Sequence, residues 1–440
     1  MNYLTDQIPF IDSLSPEWRK SVDDAAVSLF RAADWLCGTK DVREQIRDHT
    51  SFFVGEMVFF FLAFLTFIHA YRKGGRYMYL WIGIILHDLN TELLVYLIPD
   101  LDNFWHAQGI LTLFGRRMPA YILALYPVFD YTAAVAARRM HLPWWAEAPA
   151  AGLFTVLMDI PYDIMGIKLL WWTWSDTDPN VGERTYWVPW CSYYFHAAFA
   201  ASFNFILTGS RRLLLPKEYD WKLFPREILC ILLAAGGAFW LGSIQFVPIY
   251  HSFHDLFNVP TECCALAFLF TYAYIVWSAD RRPSASARPK KYRLWFDELA
   301  LVVSLHYLFF MGLVIFADDP ASIRATGLHE PLGPCNQYMD VQTVSGLVLK
   351  KQRFLCVSDY DEAYFDFHCL EGGRPPRLPN GGNGSLEWYT ICGTDYPNHA
   401  EYIFVVWAAC CFGAAILYQA LARSGETPED PRKVYKRKRE

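Results

Sequence analysis

Runs of about 20 apolar residues alternate with short basic or polar clusters along this chain. A helix of that length matches the roughly 30 Å hydrocarbon core of a bilayer. Lipid offers no hydrogen-bond partners, so each crossing segment must satisfy its own backbone. The pattern predicts an all-α, polytopic transmembrane helix bundle. Charged residues make up only 19% of the sequence, below the roughly 25% of soluble domains. The net charge of −6 gives nucleic-acid binding no electrostatic support.

About nine spans are expected, near 52–71, 77–98, 118–137, 145–167, 188–208, 227–248, 260–278, 295–317 and 401–422. Basic clusters fall on alternate connections. They are Arg72-Lys73 with Arg76, Arg138-Arg139, Arg211-Arg212 with Lys217, Arg281-Arg282 with Lys290-Lys291-Arg293, and the terminal Lys436-Arg437-Lys438-Arg439. Basic connections favour the cytosol, which places the N-terminus in the lumen or outside and the C-terminus in the cytosol. Arg116-Arg117 breaks the pattern, and Phe104–Phe114 before it reads as a re-entrant or interfacial piece.

Residues 1–50 are polar and amphipathic, with no apolar leader, so the first span is expected to act as an uncleaved anchor. Ser15-Pro16-Glu17 reads as a helix start, and Val22–Leu36 as a helix lying on the membrane or on the bundle. A seven-span core is expected over 51–280, a cytoplasmic linker over 281–294 and a two-span hairpin over 295–422, followed by a basic tail over 423–440. The hairpin encloses a hydrophilic loop, 318–400, with Cys335, Cys356, Cys369 and Cys392 and a glycosylation sequon at Asn383. An even cysteine count on the oxidising side predicts two disulfides of open connectivity. Lys436 and Lys438 form a K-x-K-x-x pattern more than a dozen residues beyond Ala422. That resembles a retrieval signal and favours the endoplasmic-reticulum membrane, the plasma membrane being the alternative.

Polar residues inside apolar runs are costly and usually serve a purpose. Asp88 and Glu92 lie one helical turn apart in the second span, and Asp159 and Asp163 repeat the spacing in the fourth. With His196 in the fifth, they are the candidate catalytic set; Glu92, Asp159, Asp163, His196 and Glu262 all fall in the lumenal half of the bilayer and are expected to converge on an internal cavity. His87, His251, His254, Asp255 and Glu262 are candidate ligands for a divalent metal. The plainer reading of each is a hydrogen bond that ties helices together, and Asp130 is assigned that role. The turn Asp176–Asn180 fails as a calcium loop at Val181 and Trp187, and reads as an Asx-type turn inside an aromatic belt.

The stretch Asp159–His196 carries D-x-x-x-D, then G-I-K-L-L-W-W-T-W and Y-W-V-P-W. It resembles a eukaryotic family of multi-pass membrane proteins of unknown function. Over a shorter stretch it also resembles the bacterial and archaeal carotenoid hydratases. That second resemblance implies water addition to an isoprenoid double bond, with Asp159, Asp163 and Asp178 as the acids. Three functions remain open. They are an enzyme acting on a lipid or isoprenoid by acid/base or metal chemistry, a transporter or channel using the same groups, and a non-catalytic scaffold. No internal repeat of the kind many transporters carry is visible, which favours the enzyme.

Overall fold

A computed structural model describes residues 16–99, 101–280, 296–343, 346–360, 362–379 and 384–423. Asn383, Lys436, Lys438 and the linker 281–294 lie outside the described residues. The helices are α1 (Pro16–Leu36), α2 (Val42–Asp48), α3 (Thr50–Lys73), α4 (Arg76–Leu97), α5 (Ile122–Tyr126), α6 (Thr132–Arg139), α7 (Trp144–Lys168), α8 (Trp190–Leu214), α9 (Phe224–Ile249), α10 (Thr261–Asp280), α11 (Glu298–Phe316) and α12 (His399–Arg423). Among the described residues, seven helical segments are long and apolar enough to cross a membrane: α3, α4, α7, α10, α11, α12 and the segment containing α9.

Two of the expected spans depart from that standard. Residues 122–139 are helical but interrupted by a π turn, Pro127–Tyr131, between α5 and α6. Pro127 has no N–H to continue the ladder, and its ring crowds the preceding turn, so the chain widens there. The 25-residue α8 is long enough, but Ser192, His196, Ser202 and Asn204 dilute its apolar character.

The fold is helical with a β cap, which corrects the all-α expectation. Among the described residues, twelve short strands lie between helices. They are β1 (Cys37–Thr39), β2 (Phe104–His106), β3 (Leu111–Leu113), β4 (Met118–Pro119), β5 (Trp172–Trp174), β6 (Arg184–Thr185), β7 (Val188–Pro189), β8 (Arg324–Leu332), β9 (Tyr338–Gln342), β10 (Val348–Gln352), β11 (Phe365–Asp366) and β12 (Leu386–Gly393). β1, β3 and β4 form one antiparallel sheet and β11, β12 and β8 another. The pairs β2–β5, β6–β7 and β9–β10 complete the cap. The segment read as re-entrant is thus strand structure. Arg117 pairs with Asp102, and Arg116 with Asp34 at 2.8 Å while it lies over the Trp388 ring, so both arginines belong to the cap.

Cys335–Cys356 and Cys369–Cys392 are the disulfides, the connectivity left open by the sequence. They stitch the loop that β8 to β12 build. Lys168, at the end of α7, donates to the carbonyls of Thr394 and Asp395 at 2.8 Å each and fastens the bundle to that loop.

At the opposite end, charged side chains tie the helices. Glu227 accepts from Arg76 (2.7 Å) and Arg211 (2.8 Å), and Arg139 pairs with Asp297 beside His69. α11 and α12 pack against α3, α6 and α7 as part of the same bundle.

Within the cap, Glu330 is buried and accepts from Ser175 Oγ (2.7 Å) and the Asp176 amide (2.9 Å). Burial outweighs both bonds and raises its carboxyl from 4.5 to about 7. The folded cap therefore takes up a proton that the unfolded chain would release. That stability is complete below pH 4.5 and is lost as pH rises through 7. Unfolding midpoints of wild type and Glu330→Gln between pH 5 and 8 check this. The glutamine variant should show the shallower decline, and parallel curves would refute it.

Candidate functional site

Asp159 and Asp163 sit one turn apart on the buried face of α7. Pro161 lies between them and has no N–H for the Leu157 carbonyl. Tyr307 Oη supplies that bond at 3.0 Å, and His306 Nε2 lies 2.9 Å from the next carbonyl, Met158. Two consecutive side chains of α11 thus brace the turn that carries the aspartates. His306 is a support for the site.

α8 supplies the other half. Its Ser192 and His196, also one turn apart, face α7. Ser192 Oγ donates to Asp163 Oδ2 at 2.8 Å, and His196 Nε2 lies 3.3 Å from Asp159 Oδ1. One ligating atom from each of Asp159, Asp163 and His196 falls within 4.8 Å of the others. Asp159 is fully buried, and neither of its oxygens accepts a well-aligned hydrogen bond; His196 and the Asp163 carboxyl are its polar neighbours. Two buried carboxylates this close demand a proton or a cation between them.

A cavity of about 360 Å³ opens from Asp163 and His196. It passes His87, Glu92 and Asp130 and ends under the cap at His106, Trp174, Asn180 and Val341–Thr343. Its lining is mostly apolar and aromatic, with a few convergent polar groups, the usual make-up of a small-molecule site. Glu92, Asp163 and His196 therefore meet around one space. Asp88 is fully buried but is not part of that wall.

The other proposed ligands are arranged differently. His251 reaches the cavity from a π turn, Tyr250–Asp255. Asp255 pairs with His251 through one oxygen and with His254 Nδ1 through the other, at 2.8 Å. His254 also stacks on Tyr250, with its Nε2 3.5 Å from Glu183 Oε1. These groups satisfy one another. Glu262 is exposed on α10. Among the described residues, the other group close enough to share an ion is Asp366, His368 and Cys392, whose cysteine is held in a disulfide. Asp178 is buried; its carboxylate accepts from the Asn180 amide (2.9 Å) and pairs with Lys351 (3.0 Å), so its turn anchors the β9–β10 hairpin.

A family model matches residues 1–422. The chain belongs to the DUF7802 family. That family is a domain of unknown function, and it covers the bundle and the cap alike. No curated protein and no solved structure matches the chain. The likeness of Asp159–His196 to carotenoid hydratases finds no support.

Three residues of this DUF7802 site escape a reading of the sequence. Ser192 had a signal, since it precedes His196 by one helical turn. Asp130 was assigned to helix tying, and it does accept from Thr155 Oγ1 (2.8 Å), yet it also lines the cavity. His106 had no signal. Only the pairing of β2 with β5 carries its ring to the cavity, packed between Phe104 and Trp172. Neither ring nitrogen has a partner, and burial lowers its pKa to about 3, leaving a neutral imidazole facing the space.

Proposed function

We propose that this protein is a multi-pass membrane enzyme that acts on a lipid or isoprenoid chain with the help of a divalent cation. Asp159, Asp163 and His196 would bind the ion, and Ser192 would fix the Asp163 carboxylate. Two carboxylates and an imidazole form a hard, three-ligand set that leaves coordination positions for water and substrate. An ion so held activates water and polarises an ester or phosphoryl oxygen. The observation that carries the reading is the convergence of these three ligating atoms beside an apolar cavity whose wall includes Asp163 and His196. The buried Arg76–Glu227–Arg211 and Arg139–Asp297 ties at the other end favour a one-sided site over a through-path.

The test is elemental analysis of purified wild type, Asp163→Asn and His196→Ala, with lipid profiling of membranes that express each. Wild type should hold one zinc, manganese or iron ion per chain and alter a lipid class. Both variants should lose ion and lipid change while unfolding at the wild-type midpoint. A wild type that takes up none of these metals overturns the reading, and variants that fail to fold favour helix tying.

The reading includes nine spans, a lumenal cap and residence in the endoplasmic reticulum. With Arg116-Arg117 as the exception, strands β2, β3, β5, β6 and β8 to β12 lie on connections opposite the basic clusters, which supports this topology. Asn383 should then be glycosylated. Unchanged gel mobility after glycosidase treatment of material from eukaryotic cells would refute the lumenal cap. Changing Lys436 and Lys438 to Ser should release the protein from the endoplasmic reticulum.

A further inference from the structure

A second pocket, of about 440 Å³, lies in the cap beside the turn formed by residues 174–184 and shares no lining residue with the central cavity. Three aromatic side chains contribute to its walls. The rings of Tyr186 and Tyr402 stand 5.2 Å apart at 82°, and Trp187, supported by Tyr364 at 5.6 Å, forms a third face. Tyr186 and Trp187 both have positive φ, 49° and 67°. Bulky L-residues rarely adopt that backbone, and here it belongs to two consecutive aromatic residues that line one pocket.

Charge selects the ligand. Three carboxylates line the pocket, Asp176, Glu362 and Glu401, against one guanidinium, Arg184. Arg184 is already engaged by Glu362 (2.6 Å) and by the carbonyls of Ser175 and Val181. The pocket thus keeps an excess of negative charge and offers an anion little. The Glu401 carboxylate is held at the rim by Tyr186 Oη (2.7 Å) and Asn398 Nδ2 (3.4 Å). Perpendicular ring faces beside a fixed carboxylate suit a methylated ammonium, which is attracted to both.

We propose that this pocket binds a quaternary ammonium group of the choline type. The site is separate from the metal reading and does not depend on it. Its position points to a membrane ligand: Tyr186 and Trp187 lie a few residues before α8, and Asn398, Glu401 and Tyr402 lie at the start of α12. In the proposed topology these residues stand at headgroup depth. The chemistry fits equally a choline lipid headgroup and a soluble quaternary amine.

The test uses the full chain in phosphatidylglycerol nanodiscs, titrated with choline and with its neutral isostere 3,3-dimethylbutanol, and read by saturation-transfer NMR of the methyl protons. Choline should bind, and the isostere should bind roughly tenfold or more weakly, because it lacks the charge. Trp187→Ala and Glu401→Gln should each weaken choline by a similar factor. Glu401 is exposed, so its variant serves if Trp187→Ala fails to fold. Nanodiscs of phosphatidylcholine separate the sources. Loss of soluble choline binding there identifies the lipid headgroup as occupant, and unchanged binding identifies a soluble amine. Equal binding of the isostere, choline affinity untouched by Glu401→Gln, or preference for a neutral disaccharide overturns the proposal.

Discussion

Glu227→Ala should cost the bundle about 3–5 kcal/mol, the usual consequence of deleting one partner of a buried ion pair. Glu227 is 1% exposed and accepts from Arg76 Nε and Arg211 Nε, one on each oxygen. Arg76 has other partners, the carbonyls of Pro216 and Lys217, and it is partly exposed, so it can turn toward water. Arg211 cannot. Its side chain is 8% exposed, and its remaining bond is a 3.4 Å contact to the Arg76 carbonyl. Most of the loss should therefore come from Arg211, and Arg211→Met in the Glu227→Ala background should restore much of it. The neighbouring Arg72–Glu298 pair is the control. Arg72 is 70% exposed, so Glu298→Ala should cost under about 1 kcal/mol. Unfolding in a single detergent ranks the variants, and a wild-type midpoint for Glu227→Ala would refute the argument.

The helices were legible because lipid imposes one simple rule on them. Expected spans at 52–71 and 77–98 match Thr50–Lys73 and Arg76–Leu97, since an apolar run must end where charges begin. The cap was illegible for the opposite reason. Its strands are two to nine residues long, and their order comes from partners far along the chain. β2 pairs with β5 across some sixty-five residues, with Phe104 opposite Trp174 and His106 opposite Trp172. Nothing local in Phe-Trp-His distinguishes such a strand from an interfacial belt.

The same contrast divides the site. Asp159, Asp163, His196 and Ser192 follow helical spacing, so their faces could be read from sequence. Asp88 and Glu92 have that spacing too, and in each pair only one carboxylate, Glu92 or Asp163, lines the cavity. Spacing gives a shared face, but depth within the bundle decides which member meets the open space. For His251, His254 and Asp255 the spacing suggested ligands, while the π turn folds the carboxylate onto both imidazoles.

Gly152→Val should separate α7 from α8 and loosen the site from a distance. A Cβ at Gly152 would overlap the Ala197 carbonyl oxygen, which is backbone and cannot swing away. Small residues on both helices, Gly152 against Ala197 and Ala201, are what let the two backbones approach so closely. The cost should be about 1–3 kcal/mol, the range for overfilling a packed core. The geometric effect matters more. Asp159 lies two turns along α7 from Gly152, and His196 adjoins Ala197, so any shift at the crossing alters the 3.3 Å between Asp159 and His196. On the proposed metal reading, the affinity of the site should fall roughly tenfold or more although every ligand remains, as when the supports of a metal site are disturbed. Gly209→Ala in α8 is the matched control. A Cβ there comes no nearer than 4.0 Å to Trp144, so this variant should be neutral or gain up to about 1 kcal/mol of helix propensity. Unfolding and metal titration of the two variants test the crossing and the site separately. Destabilised Gly152→Val with undiminished metal binding would leave the helix contact standing and remove its link to the site. Wild-type stability in that variant would refute the close crossing itself.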